Sequence, residues 1–323
     1  MKRTEIVYLY DIIDANPNGD PNDENRPRMD AESGCAKVSD VRLKRTIRDY
    51  LHESGGQEIF CRQIEKSDGT IQAGKDRAED FFEKVTEKAR NEAKTVLDKR
   101  ALIEAEVLKA CIDVRLFGAT IPIPKLPKNK NEKDSSVTLT GPVQFAMGTS
   151  LHRVEPRFIK GTGAFASGQG AQQKTFREEY VLPYALIAFY GIVNEQAAKT
   201  TKLTDEDVEA LFESVWYGTK NLITRSKFGQ RPLLLLLVEY SEPNAYIGRL
   251  DRFLKIKPAE LRGEAIRDVG ELTLDLAELA SALNGKKAKI HQLRYAWDKR
   301  LKLSQEPQGD QFMGCSATNL NYE

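Results

Sequence analysis

The most constraining feature of this chain is its first fifty residues, which run from an apolar strand through a polar loop into a basic helix. Residues 5–13 (EIVYLYDII) carry the β-branched and aromatic side chains of a buried strand. Residues 14–38 are rich in Gly, Pro, Asn and Asp, as turns are. Ser39 can cap the first turn of the helix that follows. At about 100° per residue, one face of that helix is apolar. This face carries Leu43, Ile47, Tyr50 and Leu51.

The same helix carries a run of cations on the flank beside its apolar face. Arg42, Lys44 and Arg45 fall in its first turns, where Asp40 is the single acidic residue, and Arg48 follows one turn later. Cations at a helix N-terminus oppose the helix dipole, at a cost of about 0.3–1 kcal/mol each. A bound anion would offset this cost, and a solvated charged face is the alternative interpretation.

Composition limits the classes of protein to which this chain can belong. Its 323 residues are enough for an elaborated core or for two lobes. The 49 Lys and Arg residues nearly balance the 48 Asp and Glu residues, so nucleic-acid binding would require local segregation of charge. The four cysteines are far apart in sequence, which is typical of reduced thiols. They are Cys35, Cys61, Cys111 and Cys315.

The apolar segments of the sequence indicate neither a signal peptide nor a membrane span. The apolar run in residues 5–13 is short and is interrupted by Asp11, unlike a signal peptide. The longest apolar run, Leu233–Val238, is far too short to span a bilayer. We therefore expect a cytoplasmic protein that makes no membrane contact.

The order of predicted elements is that of an α+β protein with a large insertion. Apolar residues at three- and four-residue steps predict one or two helices in 76–110, and Pro and Lys density predicts a loop at 119–136. A helix capped by Thr204 is expected at 203–221. Strands are expected within 137–151, 180–193 and 233–240. This order is that of a ferredoxin-like sheet.

Four segments follow from this order. Residues 1–51 hold the first strand and the basic helix, and residues 52–136 form a mostly helical insertion. Residues 137–245 complete the core. Residues 246–323 form a C-terminal extension whose position the sequence does not predict.

A second unusual segment lies at residues 153–179. It combines four glycines with five cations and three phenylalanines. Glycine at this density lets a backbone bend closely around another molecule. We expect residues 160–174 to be mobile in a free monomer.

The sequence partly matches several metal- and nucleotide-binding motifs but completes none of them. Residues 14–25 begin like an EF-hand loop but lack the bidentate Glu at the twelfth position. Residues 69–76 nearly match a Walker A loop, yet Asp76 replaces the Ser or Thr that would hold magnesium. Residues 161–166 fit a loose dinucleotide motif without a following helix. We therefore expect no cofactor and no resident metal.

Several blocks of this sequence resemble the CRISPR Cascade backbone subunits of the Cas7 family. The first is NPNGDP–NRPR–D–G–SDVRLKRTIR in residues 16–48, and the others follow in the order of the family. They are residues 113–118 (DVRLFG), 141–152 (GPVQFAMGTSLH), 180–184 (YVLPY) and 225–229 (RSKFG). The resemblance is closest to the type I-B branch, within the RAMP superfamily.

The resemblance implies an RRM-like protein that polymerises along a guide RNA, with the Gly-rich segment as a β-hairpin thumb. It implies crRNA, target DNA and further copies of the chain as partners. It also implies the other Cascade subunits, namely a large subunit, a crRNA 5′-handle-binding subunit and an endoribonuclease subunit. The subunit itself would be non-catalytic.

RNA binding on such a sheet needs cations for phosphates and flat or apolar groups for bases. The chain lacks the aromatic signatures of a standard RRM, so binding to the backbone, independent of sequence, is expected. The candidate residues come from the first loop and helix, a strand that the resemblance places in a groove, the thumb and a turn after the second helix. They are Asn18, Arg26, Arg28, Lys37, Arg42, Lys44, Arg45, Arg48, Gln144, Met147, Ser150, His152, Arg153, Lys160, Phe165, Lys174, Arg225, Ser226 and Lys227.

Two other functions stay open at this point. Related type III backbone subunits cut RNA with a loop aspartate, and here Asp20, Asp23 and Asp30 lie in a comparable loop, with Asp20 and Asp30 as the candidates. A scaffold whose basic helix meets an acidic protein is the other alternative. His152 could equally be a satisfied histidine, and the thumb aromatics could pack against a neighbouring copy.

Overall fold

The computed structural model describes residues 1–126, 132–166, 174–260 and 262–322, with the side chains of all but residues 162–166 and 174–177. The chain divides into two compact units. The first contains Met1, Ile47–Gln144 and Val193–Ser214. The second contains Lys2–Thr46, Phe145–Ile192 and Val215–Glu323.

The described residues form seventeen strands and eight α-helices, a mixed α+β composition. The strands are β1 (Thr4–Ala15), β2 (Gly19–Asp20), β3 (Arg26–Pro27), β4 (Cys35–Val38), β5 (Gly118–Ile123), β6 (Ser135–Thr140), β7 (Val143–Phe145), β8 (Gly148–Arg153), β9 (Arg157–Ala166), β10 (Lys174–Val193), β11 (Arg231–Tyr240), β12 (Lys255–Lys257), β13 (Thr273–Asp275), β14 (Ile290–Trp297), β15 (Lys302–Leu303), β16 (Gln311–Phe312) and β17 (Cys315–Asn319). The helices are α1 (Asp40–Glu53), α2 (Gly74–Lys84), α3 (Glu87–Glu92), α4 (Val96–Ala110), α5 (Ile112–Phe117), α6 (Ala197–Thr201), α7 (Asp205–Lys220) and α8 (Ala277–Gly285). None of the helices in the described part of the chain is long and apolar enough to cross a membrane.

A large, mainly antiparallel sheet organises the second unit. Its strand order is β16-β17-β14-β11-β1-β10-β8-β4, and β9 also pairs with β10. At its centre, β1 pairs with β11 in a register that sets Ile6 opposite Leu237 and Tyr8 opposite Leu235. The leucines of β11 are fully buried, as expected where both faces of a strand are covered.

The C-terminal extension belongs to this sheet. Strand β14 pairs with β11 along its whole length, and β17 lies parallel to β14. A buried carboxylate fastens the extension to β1, because Glu5 accepts hydrogen bonds from the backbone N–H groups of Ile247 and Gly248, both at 2.8 Å. The hydroxyls of Tyr190 (2.6 Å) and Tyr240 donate to the same carboxylate. Four donors satisfy a group that would be costly to bury alone.

The first unit is built on helices that pack on a β-hairpin. Strands β5 and β6 pair antiparallel, so the expected loop at 119–136 is wrong at both of its ends. Alternate residues of the two strands are buried, including Ile121, Ile123 and Val137. They complete an apolar core with Phe81 and Ile103. The period of two was obscured by Pro122 within β5 and by Pro124 just after it, although an edge position tolerates a residue without an N–H group.

The insertion has three helices where one or two were expected in 76–110. Helix α4 starts afresh at a capping box, in which the Asp98 N–H donates to Thr95 Oγ1 at 3.2 Å and the Thr95 N–H donates to the Asp98 carboxylate at 2.9 Å. Helix α7 starts with the same device on Thr204 and Asp207, as its sequence predicts. In the same unit, Arg115 binds the Asp207 carboxylate through two bonds of 2.7 Å.

Candidate nucleic-acid interface

The first loop is a small, tightly bonded structure. Strands β2 and β3 pair across it, and Asp20 accepts a bond from the N–H of Asn22 at 3.0 Å, as in an Asx turn. Glycine is favoured at position 19, because a Cβ atom would lie 2.8 Å from the backbone carbonyl oxygen of Asn25. The loop therefore has a defined shape that can present side chains.

Asn18 joins this loop to helix α1. Its Oδ1 atom accepts bonds from the Ser39 N–H (2.8 Å) and the Ser39 hydroxyl (2.9 Å), and Ser39 Oγ accepts from the Arg42 N–H. Ser39 is thus the predicted cap of α1. The side-chain amide oxygen of Asn18 therefore positions Ser39 at the start of α1, and RNA contact by Asn18 stays a prediction.

A groove of about 590 Å³ opens between the first loop, the start of β8 and the base of the β9–β10 hairpin. Both charged and apolar side chains line it. They are Asp20, Asp23, Arg26, Pro27, Arg28, Met29, Lys37, Met147, Pro156 and Tyr180. We call this cavity the loop groove.

The cations of the loop groove are held in place and remain charged. Arg26 lies over the Tyr180 ring at 4.5 Å and donates to its hydroxyl at 2.9 Å. A hydrogen bond to Glu24 raises the pKa of Arg26. Arg28 pairs with Asp20 at 3.1 Å, and Lys37 donates to Thr149 Oγ1 at 3.1 Å. These cations are partly exposed, so they can exchange partners for an anion.

The apolar wall of the loop groove offers flat or soft surfaces beside these charges. Met147 is 51% exposed, so its flexible thioether side chain is available as an apolar surface for a ligand. Tyr180 is half-buried and also packs its ring against Phe158 at 5.0 Å. Cations beside such groups match the alternation of phosphates and bases in a single strand.

The structure brings four of the predicted RNA contacts into this one groove. They are Arg26, Arg28, Lys37 and Met147. Sequence analysis missed Met29, Pro156 and Tyr180 as parts of the groove. The signal for Tyr180 was present in the YVLPY block, which opens with it.

Two cations of helix α1 are committed to carboxylates. Arg48 binds Asp113 at 2.9 Å, and the fully buried Asp113 also accepts from the N–H groups of Phe60 and Cys61. Lys44 is buried and pairs with Asp40 at 3.1 Å. Arg48 and Lys44 thus have carboxylate partners within the protein, and RNA contact by these two residues stays a prediction.

Ser150 and His152 are both buried, and RNA contact by these two residues also stays a prediction. Ser150 Oγ accepts from the Ala36 N–H at 2.9 Å and donates to the His152 carbonyl. The His152 ring bonds the Arg153 carbonyl through Nδ1 (2.8 Å) and lies 3.3 Å from the Leu186 N–H through Nε2. Desolvation lowers its pKa. This is the satisfied histidine that the sequence left as an alternative.

The remaining predicted contacts lie outside the loop groove. Arg45, Gln144 and Arg153 are exposed, and Arg42 is half-buried. Lys160 pairs with Glu178 at 3.1 Å, and Arg225 lies 3.8 Å from Glu179. Ser226 accepts a bond from Lys227, whose pKa is lowered by desolvation and by the charge of Arg42. The side chains of Phe165 and Lys174 lie outside the described residues, as does much of the segment expected to be mobile.

The loop carboxylates already have partners. Asp20 pairs with Arg28, and Asp30 accepts from the N–H groups of Ser33 (2.9 Å) and Glu32 (3.2 Å). The bonds from Ser33 lower the pKa of Asp30. Within the described residues, no three His, Cys, Asp or Glu side chains are grouped as metal ligands. All four cysteines, each described, are free thiols.

The sheet and the loop groove together define an α+β protein with a cationic, apolar-walled groove at the edge of its main sheet. Comparison with known proteins then gives the family. The model of the family described as CRISPR-associated protein Cas7 matches residues 2–277, and the chain belongs to this family.

Individual relatives agree with this assignment. A CRISPR-associated protein Cas7 from Haloferax volcanii is 33% identical over 314 residues, which are 94% of this chain and 89% of the relative. A solved structure described as a CRISPR RNA-guided surveillance complex, pre-nicking, shares the fold with a TM-score of 0.57 at 11% identity, over 98% of this chain and 96% of that one. A second, described as a CRISPR RNA-guided surveillance complex, has a TM-score of 0.54 at 13% identity, over 99% and 95%.

Proposed function

We propose that this protein is the crRNA-binding backbone subunit of a type I CRISPR interference complex. The observation that carries the proposal is the loop groove, where Arg26, Arg28 and Lys37 meet the apolar surfaces of Met147 and Tyr180 in a chain of the Cas7 family. Cations address phosphates, which every nucleotide has, so the binding is independent of sequence.

An RRM-like core is part of this proposal. Chain order runs β1, α1, β8, β10, α7, β11, and the sheet order β8-β10-β1-β11 matches the ferredoxin-like arrangement. The β9–β10 hairpin stands in the segment that the sequence predicts as a thumb. We propose that this hairpin closes over the guide RNA.

The partners follow from the same assignment. The subunit would polymerise along the crRNA spacer and support pairing of the guide with target DNA. The two solved structures that share its fold are described as RNA-guided surveillance complexes, which supports further copies and other Cascade subunits as partners. Phe228, which is large, apolar and exposed beside Lys227, is a candidate surface for a base or a neighbouring copy.

We further propose that the subunit is non-catalytic. Asp20 and Asp30 have partners within their own loop, which supports a structural use of both carboxylates. No observation on the described residues favours the ribonuclease alternative.

Co-purification tests the proposal. The full chain is expressed with a CRISPR transcript and the processing subunit, and the RNA that it retains is sized. We expect RNA of one discrete length, protected over the spacer, and similar affinity for two unrelated spacer sequences. Purification without RNA, or retention of RNA of random length, would contradict a backbone role.

A further inference from the structure

A second cavity, of about 190 Å³, shares Tyr180 with the loop groove as a lining residue. It is bounded by the first loop, the base of the β9–β10 hairpin and the turn after α7. Its lining residues are Asn16, Glu24, Asn25, Glu178, Glu179, Tyr180, Val181, Arg225 and Ser226. We call it the Asn16 cavity.

Asn16 is one of the residues that line this cavity, and it is only 3% exposed. Its Nδ2 atom donates to the Asn25 carbonyl at 2.7 Å, and its backbone N–H donates to the Ser226 carbonyl at 2.8 Å. The contact with the Asn25 carbonyl fixes the amide orientation, because a reversed amide would set two oxygens against each other. Asn16 Oδ1 is then a buried acceptor without a hydrogen-bond partner among the described residues. Such acceptors are rare, because burying one unpaired is costly.

The other polar groups of the Asn16 cavity are mostly acceptors that already have cationic neighbours. Glu24 pairs with Arg26 at 2.9 Å, Glu178 with Lys160, and Glu179 lies 3.8 Å from Arg225. Three carboxylates in the cavity lining disfavour a phosphate. The group that fits is therefore a neutral hydrogen-bond donor.

We infer that Asn16 Oδ1 accepts a hydrogen bond from a ribose 2′-hydroxyl of the bound strand. This inference rests on the proposed function. Phosphates would occupy the cationic loop groove, and a ribose would enter the acceptor-rich Asn16 cavity across the shared wall of Tyr180. A 2′-hydroxyl is present on every ribonucleotide and absent from DNA. The contact would make binding specific for RNA without reading any base.

The chemistry of the sugar gives a direct test on the unaltered full chain. Four single strands of one sequence are compared, carrying 2′-hydroxyl, 2′-fluoro, 2′-O-methyl or 2′-deoxy sugars. The 2′-fluoro strand keeps the RNA sugar pucker but cannot donate a hydrogen bond. We expect 2′-fluoro and 2′-deoxy strands to bind about three- to tenfold more weakly than RNA for each modified nucleotide in the cavity. The bulkier 2′-O-methyl strand should bind more weakly still.

Each outcome decides one question. If RNA and the 2′-fluoro strand bind equally, the cavity is merely hydrated and the inference is wrong, although the proposed function stands. If no strand binds, the proposed function fails and the inference falls with it.

An Asn16→Ala variant assigns the effect to Asn16. This variant should lose the preference for RNA over the 2′-fluoro strand. The control is Lys109→Ala, which changes a 77% exposed side chain of α4 and should keep the preference. A folded Asn16→Ala variant that keeps the full preference would overturn the assignment. If this variant does not fold, the wild-type comparison of sugars still decides.

Discussion

Two stretches of the chain carry similar densities of positive charge, and the structure uses them differently. In helix α1, Arg48 is bound to the buried Asp113 and Lys44 to Asp40. In the first loop, Arg26, Arg28 and Lys37 line an open groove. The difference teaches that a run of cations does not by itself identify a binding surface. The burial of the cation itself distinguishes the two groups, because the side chains of Arg48 and Lys44 are 14% and 10% exposed and that of Arg28 is 37% exposed.

We expect the largest effect from a substitution in helix α1, on the free energy of unfolding. Arg48→Ala leaves the buried Asp113 without its cation, and we expect the free energy of unfolding to fall by about 3 kcal/mol. Arg45→Ala, on an exposed cation one turn earlier, should change it by less than about 0.5 kcal/mol. Urea denaturation of both variants measures the difference. Equal, small losses would mean that the Arg48–Asp113 pair contributes little to stability.

Substitutions of the first-loop cations should affect RNA binding. Arg28→Ala with Lys37→Ala should weaken RNA binding similarly for unrelated sequences. The log–log salt slope should flatten by about 0.7 for each lost phosphate contact. Lys44→Met, which keeps the buried stem, is the matched helix control and should leave the slope unchanged. A flattened slope in the control, with none in the loop variant, would reverse the assignment of the two regions.

The burial of His152 makes the stability of the fold depend on pH. Burial lowers its pKa in the folded state below the ordinary value, so the unfolded chain binds the proton more readily. Stability from this group is complete above about pH 6.5 and falls as the pH drops below it, by at most about 1.4 kcal/mol per pH unit. Denaturation midpoints at pH 5.5 and 7.5, compared with those of His152→Gln, measure the effect. An identical pH response in the variant would show that other groups carry it.

The smallest expected effect concerns the loop aspartates. Asp20 and Asp30 are held by partners in their own loop. We therefore expect that the parent protein does not cleave complementary RNA in magnesium or manganese. Neither Asp20→Ala nor Asp30→Ala should change this result. Incubation with labelled RNA checks this. Metal-dependent cleavage that either substitution abolishes would favour the ribonuclease function.

Local patterns in the sequence predicted the elements that depend on near neighbours in the chain. The strand expected at 5–13 is β1, the helix that Ser39 caps is α1, and the helix that Thr204 caps is α7. The run of leucines at 233–237 is the central strand β11. These predictions hold because periodicity, capping and apolar runs act over a few residues.

The sequence also supplied the family, through short blocks in a fixed order, and it named four residues of the loop groove. It could not separate these from Lys44, Arg48, Ser150 and His152. Asp113 lies 65 residues from Arg48, and Leu186 lies 34 residues from His152. Hydrogen-bond partners so far apart in the chain cannot be predicted from local composition.

Local sequence patterns were therefore enough to predict the main strands and helices of the core and the family to which the chain belongs, but not the β5–β6 hairpin or the strands of the C-terminal extension. The tertiary structure decided which polar side chains are buried with partners and which face a groove. It also left Asn16 Oδ1 buried with no hydrogen-bond partner among the described residues, although the local sequence marks Asn16 only as a turn residue. The physical reason is that burial and hydrogen bonding depend on residues brought together from distant parts of the chain, whereas helix and strand formation depend mainly on neighbours.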